Sequence, residues 1–483
     1  MDYLRPDVYV ERNNTGEQPI QLLSSSTGAL IGKSARGLAF KPVLVTSWSD
    51  YLRNFANGIE SPFLKDDYLA YSVYGFFQNG GTRLYVVRVV DSNATKATGN
   101  LVGNAHESEA TNIKFNAKDE GEWGNDLTVE VTSKVGLEGF DLIVKLKGTV
   151  VETFEVTNGF DSNYYYVEVI NNNSNFITID ENAIDLVEGK VTFTGGKATN
   201  SAVVDNDYAK ALSTLEFAQE RISMIAIPGK STDAIIQSIQ KFADKNGVYP
   251  IYDVPFNTDV QGAVTFRQKF VGDNGSLYYP NIKVVDQSSK QGSLKLCPPS
   301  GHIMGVYART DSARGVYKVP AGEEAVIKGA VALERDMLNE EVDVLNPIGV
   351  NCLVVKTNIG VVVWGARTIS TNPNLRYVSD VRLDQLIIDT AYNGTQWAVF
   401  EPNDEGLWER ITASLKGMLH TLYQRGWFKG SSADEAYYIK CDGDLNTQES
   451  INRGEVIAEI GYAKKRPAEF VVIKIVQKSS EAK

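Results

Sequence analysis

Two Lys-Ser segments have the residue types that could cradle a phosphate. In Gly28-Ala29-Leu30-Ile31-Gly32-Lys33-Ser34 only three residues separate the glycines, too short a loop for backbone N–H groups to wrap the phosphates. Thr27 stands where the first glycine belongs. Gly229-Lys230-Ser231-Thr232 is better placed, after an apolar run and before a helical pattern, but Met224 occupies its first-glycine position. A helix N-cap explains it better. Asp442-Gly443-Asp444-Leu445-Asn446-Thr447 begins like a calcium loop. Thr447 replaces the turn glycine, however, and Arg453 the closing glutamate, so the segment reads as a turn. Zinc needs clustered ligands, and only Cys297 and His302 are near neighbours, with His106, Cys352, His420 and Cys441 scattered. No Gly-x-Ser-x-Gly elbow marks a nucleophile, and His302 reads as a hydrogen-bonded structural histidine. No catalytic, cofactor-binding or metal-binding residue is assigned.

The elements around these residues fall into three textures. Up to residue 90 the chain is mixed α/β. A short strand falls at Val8-Tyr9-Val10 and a buried one at 29–32. Ser49-Asp50 can cap a helix through Phe55, and Asp66-Asp67 can open another that stops at Asn79-Gly80-Gly81. Residues 84–90 form a β-rich run. From about 91 to 205, strands are expected at 127–132, 141–147, 150–156, 164–170, 176–179 and 191–194, which suggests an all-β module. Residues 171–175 and 194–196 read as exposed loops in it. From 206, a helix (208–217), a strand (222–227), a helix capped by Thr232 and a strand (248–254) suggest a parallel sheet. Asn403-Asp404-Glu405 opens the longest helix, with Leu407, Ile411, Leu415, Met418, Leu419 and Leu422 as its apolar stripe. The last strand, 469–477, is apolar on both faces and should be buried between layers or molecules.

Composition sets the outer limits. The 483 residues suggest about three domains. A formal charge of −12 argues against a dedicated nucleic-acid binder. Three cysteines cannot build a disulfide framework. Met1 to Pro6 lacks a signal-peptide pattern, and no apolar run reaches the ~18 residues of a membrane helix. These features suggest an acidic multidomain protein made in a cytoplasm.

Longer motifs supply a specific likeness. Pro6-Asp7-Val8-Tyr9-Val10-Glu11 resembles the Pro-Gly-Val-Tyr-Val-Glu opening of contractile tail sheath proteins of bacteriophages and phage-tail-like particles, with Asp7 in place of glycine. Gly121-Glu122-Trp123-Gly124-Asn125 resembles the family's Gly-x-Trp-Gly-Asn turn. Further matches are Gly301-His302-Ile303-Met304-Gly305-Val306-Tyr307, Leu345-Asn346-Pro347-Ile348-Gly349-Val350-Asn351, Val363-Trp364-Gly365-Ala366-Arg367-Thr368, Arg376-Tyr377-Val378 and Trp397-Ala398-Val399-Phe400-Glu401-Pro402-Asn403. Residues 130–205 carry no family pattern.

The resemblance implies an α/β multidomain protein. Its expected parts are an N-terminal arm and linker (1–28), the first part of the α/β body (29–95), an inserted all-β domain (96–205), a subtilisin-like domain without protease activity (206–370) and a C-terminal domain with a β arm (371–483). It implies a structural subunit, not an enzyme, with no cofactor. Such subunits stack as six-fold rings in a helical homo-oligomer around an inner tail tube protein, between baseplate and tail terminator proteins, without nucleic acid or a membrane-spanning segment. The sheath would assemble in the bacterial host cytoplasm and belong to a virion tail or a released particle. Candidate intersubunit strands are Val8, Tyr9, Val10 and Glu11, and Phe470, Val471, Val472, Ile473, Lys474, Ile475 and Val476. Candidate tube contacts are Lys416 and His420, opposite the apolar stripe of the long helix, with Arg410 and Arg425 nearer its edges; an ordinary surface helix is the alternative. Two rival classes stay open: a nucleotide-dependent cytoplasmic enzyme using a degenerate phosphate loop, and a monomeric or closed-ring binding protein.

Overall fold

A computed structural model of the chain describes residues 20–102, 104–105, 112–134, 139–180, 184–198, 202–289 and 292–470. Among these, two compact units separate: residues 20–24, 314–319 and 379–470 form one, and residues 25–313 and 320–378 the other.

The larger unit is built on an eight-stranded sheet. In spatial order its strands are Val43–Val45, Leu84–Arg88, Gly28–Gly32, Met224–Ala226, Tyr249–Asp253, Ser276–Tyr279, Val350–Lys356 and Gly360–Val363. The six inner strands are parallel and the two edge strands antiparallel. Gly28–Gly32 is buried at every position, as a strand covered on both faces must be. Ala29 and Ile31 pack with Tyr208, Ile235 and Ile239 on one face. Gly28 and Gly32 face Met304 and Leu69 on the other. Asp233–Asn246 is a helix because Ile235, Ile236, Ile239, Phe242 and Ala243 recur on one buried side; Thr232 caps it, its Oγ1 accepting from the Ile235 N–H at 3.4 Å. The helix Trp48–Phe55 is capped two residues earlier than Ser49-Asp50 suggested, by Ser47 Oγ, which accepts from the Asp50 N–H at 3.1 Å.

The β-rich segment leaves this sheet after Leu84–Arg88 and returns before Met224–Ala226, and both strands flank or lie next but one to each other through Gly28–Gly32. It therefore interrupts one sheet. It contains a four-stranded antiparallel sheet (Gly189–Thr192, Leu127–Ser133, Phe140–Leu146, Thr149–Val156) and a three-stranded one (Ile177–Ile179, Asn112–Ala117, Thr98–Val102) around its own apolar core. It is mostly β but not all-β. The strand expected at 164–170 is replaced by a helix, Tyr166–Asn173. Tyr166, Val167 and Ile170 are its buried residues, a helical spacing, and Tyr166 Oη donates to Ile184 O at 2.7 Å. Tertiary packing outweighs the β preference of this run. Residues 171–175 are not a free loop either. Asn171 exchanges two hydrogen bonds with the Ile179 backbone, at 2.9 and 2.8 Å, and Ser174 is buried.

In the smaller unit, the 20-residue helix Glu405–Gln424 starts at Asp404, whose carboxylate accepts from the Leu407 N–H at 2.9 Å. All six residues of the expected stripe are buried. They pack with Leu386, Ile387, Trp427 and Phe428, and Val316 joins the same cluster. That packing carries 314–319 into this unit, whose last segment begins at residue 379.

Candidate assembly interface

The would-be phosphate loops are occupied by the protein itself. Lys33 is buried at the end of its strand. Lys230 lies over the Tyr208 ring, 5.1 Å from its centroid. The fully buried Asp67 carboxyl accepts from the Leu69 N–H at 2.8 Å and from the Lys33 backbone, and it feels the charges of both lysines. Burial raises its pKa to about 6. Gly229 N–H points at Asp253 Oδ2, 3.4 Å away, and Thr232 caps the following helix. Asp253 is itself buried, accepting from Ser300 N–H (2.8 Å) and Ser300 Oγ (2.6 Å), and burial raises it to about 6. These carboxylates fill the positions an anion would need.

His302 lies inside the helix Ser300–Ala313, and burial lowers its pKa to about 4. Its Nδ1 has no hydrogen-bond partner among the described residues, so the hydrogen bond expected of it is not seen at that atom. The ring packs against Gly75 so closely that a Cβ there would lie 2.4 Å from it; glycine is required by the approach of two helices. Cys297 and Cys352 are buried, and burial pushes both thiols up to about 12. The 442–447 segment is a turn. Asp442 Oδ1 accepts from the Asp444 N–H at 3.1 Å, and Lys440 Nζ lies 2.9 Å from Asp444.

The four tube-contact candidates on the long helix have different surroundings. Arg410 is engaged, bonding Glu401 at 2.8 Å and lying over the Trp397 ring at 5.1 Å. His420 is exposed; its Nδ1 meets Tyr437 Oη at 3.1 Å and its Nε2 meets Gln424 at 3.0 Å. Lys416 and Arg425 are exposed, with no partner among the described residues.

Of the candidate intersubunit strands, Val8, Tyr9, Val10 and Glu11, and Val471, Val472, Ile473, Lys474, Ile475 and Val476, lie outside the described residues. Phe470 is described and 74% exposed. Nearby in sequence, Tyr437–Lys440 and Glu459–Tyr462 pair only with each other, and the other edge of each is unpaired among the described residues. Their anchorage is firm: Lys464 Nζ lies 2.5 Å from Asp384, which also accepts from Tyr462 Oη.

One charged cluster was not legible in the sequence. Asp119 is 1% exposed and sits between Arg36 (3.7 Å) and Arg88 (3.6 Å), both buried. Trp123 Nε1–H donates to it at 2.9 Å. Arg88 donates to Gly37 O and Glu120 O, each at 2.8 Å. Arg36 donates to Asn175 O, and its guanidinium lies 4.5 Å from the Phe176 ring centroid and 5.1 Å from that of Trp123. Burial raises the Asp119 carboxyl, while the two guanidinium groups pull it back. Arg88 ends a strand of the sheet and Arg36 lies in the loop that follows Gly28–Gly32; Asp119, Trp123, Asn175 and Phe176 come from the β-rich insert. The cluster is a socket that fixes the insert to the body. Its one trace in the sequence is the Gly-x-Trp-Gly-Asn turn, whose Asn125 exchanges two hydrogen bonds with Gly196, at 2.9 and 2.8 Å.

Residues 196–369 match the family model of the phage tail sheath protein central domain, and residues 370–478 that of the phage tail sheath C-terminal domain. The chain belongs to the phage tail sheath family. It is similar to a putative prophage major tail sheath protein of Pseudomonas aeruginosa (strain UCBPP-PA14), 26% identical over 259 residues, covering 52% of this chain and 63% of the relative. A tail sheath protein of Vibrio phage KVP40 is 24% identical over 381 residues, covering 71% of this chain and 56% of the relative. The matches thus span about three fifths of these relatives' length. The mixed α/β fold matches the helical sheath of the anti-feeding prophage in its contracted state, with a TM-score of 0.63 at 21% identity, covering 99% of this chain and 100% of that one.

Proposed function

We propose that this chain is the structural subunit of a contractile tail sheath of a phage or phage-like particle. It stacks as six-fold rings around an inner tube and contracts once to drive that tube through a bacterial envelope. The observation that carries this reading is the consecutive match of 196–478 to both sheath domain models. The enzyme alternative has nothing comparable behind it, since Asp67 and Asp253 occupy the degenerate phosphate loops. The subtilisin-like assignment of 206–370 rests on the family resemblance and carries no protease activity here. The work is then done by interfaces: the contracted form makes more contacts, and the extended form is a kinetic trap. Baseplate and terminator proteins would bound the sheath, and assembly would occur in the bacterial host cytoplasm.

The terminal segments Val8 to Glu11 and Phe470 to Val476 would add as strands to neighbouring subunits, because an unpaired strand edge is a template for another chain. Contacts of this head-to-tail kind build open helices. The edges of Tyr437–Lys440 and Glu459–Tyr462 are suitable acceptors. Lys416 and Arg425 are the stronger tube-contact candidates, because Arg410 and His420 already have partners within the subunit. Removing residues 1–11 should leave a soluble, folded subunit that forms no long cylinders in electron micrographs; cylinders of normal length would contradict the strand-exchange reading.

A further inference from the structure

A cleft of about 530 Å³ in the larger unit is lined by three arginines, Arg267, Arg367 and Arg376, with Gln268, Thr368 and Ser370 beside them and no acidic side chain in its lining. Its walls are built. Arg267 donates from Nε to Ile348 O at 2.8 Å, from Nη1 to Phe270 O at 3.2 Å and from Nη2 to Ile369 O. Three of its five N–H groups are thereby held by neutral carbonyls, and the remaining two are unspent. Burial lowers its pKa, and no carboxylate offsets that. Gly349 lets the strand approach: it is left-handed (φ +82°), and a Cβ there would lie 2.4 Å from Thr368 O. Arg367 is fixed through its backbone, with its N–H donating to Asn351 Oδ1 and its carbonyl accepting from Asn351 Nδ2, both at 2.7 Å. Thr368 Oγ1 donates to Leu375 O at 2.6 Å and closes the loop that carries Arg376. The Arg376 side chain is exposed, with no partner among the described residues. Asp273 lies close by, bonded to Ser370 Oγ.

A half-buried guanidinium held by carbonyls alone, beside two more, is a receptor for planar oxyanions. The volume is that of a site for a ligand much larger than one small ion, so the matching chemistry is several carboxylates on one segment. With 60 Asp and Glu against 48 Lys and Arg, carboxylates are the charge in excess on any further copy of this chain. We propose that the cleft receives an acidic segment of a neighbouring copy of this chain, its carboxylates pairing with Arg267, Arg367 and Arg376. The choice of a neighbouring copy rests on the sheath reading; the chemistry of the cleft does not.

The test uses the full chain and two readouts. Fluorescein-labelled hexaglutamate is titrated with the wild type, Arg376→Glu and Arg376→Lys by fluorescence anisotropy, and the concentration at which each chain begins to sediment as an assembly is measured. Arg376→Glu should weaken peptide binding about tenfold and raise the sedimentation threshold by a similar factor, with Arg376→Lys in between, as expected for losing a charge-assisted pair. Unchanged thermal melting of both variants shows that the fold is intact, as an exposed side chain requires. Equal peptide binding by wild type and Arg376→Glu overturns the site. Lost peptide binding with an unchanged threshold overturns the neighbouring copy as its ligand. A wild type that never assembles overturns the sheath reading and the proposed source together, while the peptide arm still decides whether the cleft takes carboxylates.

Discussion

The socket at Asp119 and the outward face of the long helix use the same residue types to opposite ends. In the socket, two arginines and an aspartate are sealed from water; Arg88 Nη1 and Arg36 Nη2 are held by backbone carbonyls and the Arg36 guanidinium by aromatic faces. Arg36 Nε and Nη1 and Arg88 Nε have no hydrogen-bond partner among the described residues and rely on the Asp119 charge beside them. On the helix, Lys416 and Arg425 point into solvent without partners among the described residues. A buried charge must be compensated inside the subunit, and removing one member leaves the others exposed to the full cost of desolvation. An exposed charge contributes little to folding and is free to meet another molecule. The difference separates residues that hold the subunit together from residues available for assembly.

Breaking the socket should have the largest effect. Asp119→Ala leaves Arg36 and Arg88 buried without the carboxylate that pairs with both, with only the weaker influence of Glu152 and Glu120 remaining, and should destabilise the larger unit by about 3–5 kcal/mol, read as a lower urea midpoint. A loss below about 1 kcal/mol would show that water reaches the site. The buried carboxyls of Asp67 and Asp253 give a smaller effect that depends on pH. Their folded values of about 6 lie above the unfolded range near ~3.9. Each therefore favours the fold fully below about pH 4, and that contribution is lost as pH rises through about 6. Asp253→Asn should lower stability overall yet lose up to about 3 kcal/mol less than wild type between pH 4 and pH 7; parallel pH profiles would show that Asp253 does not titrate there. Least affected should be Lys416→Glu, within about 0.5 kcal/mol of wild-type stability, while weakening co-sedimentation with the inner tube protein. Unchanged co-sedimentation would remove Lys416 from the candidate tube surface.

What was legible in the sequence followed from local period. The stripe from Leu407 to Leu422 predicted the long helix because each buried position recurs every three or four residues. Four of the six inner strands, at 28–32, 84–88, 224–226 and 249–253, were visible as short apolar runs, whereas Ser276–Tyr279 and Val350–Lys356 were not read as strands. Residues 164–170 misled because Tyr, Val and Ile favour strands on average, while here Tyr166 and Ile170 must reach the insert's core from one side of a helix. Ser47 replaced Ser49 as cap because starting the helix two residues earlier changes no apolar pattern. The socket was illegible for a different reason: Arg36, Arg88 and Asp119 are distant in the chain and meet only once the sheet and the insert are both formed. The arginine cleft was hidden likewise, its members spread from Arg267 to Arg376.

The central claim, that this chain builds a contractile sheath, is tested most directly by negative-stain electron microscopy of the purified full-length chain at rising concentration, with and without its tube protein. Hollow, striated cylinders with six-fold end views are the predicted result. Separate particles at every concentration, with or without the tube protein, would contradict it.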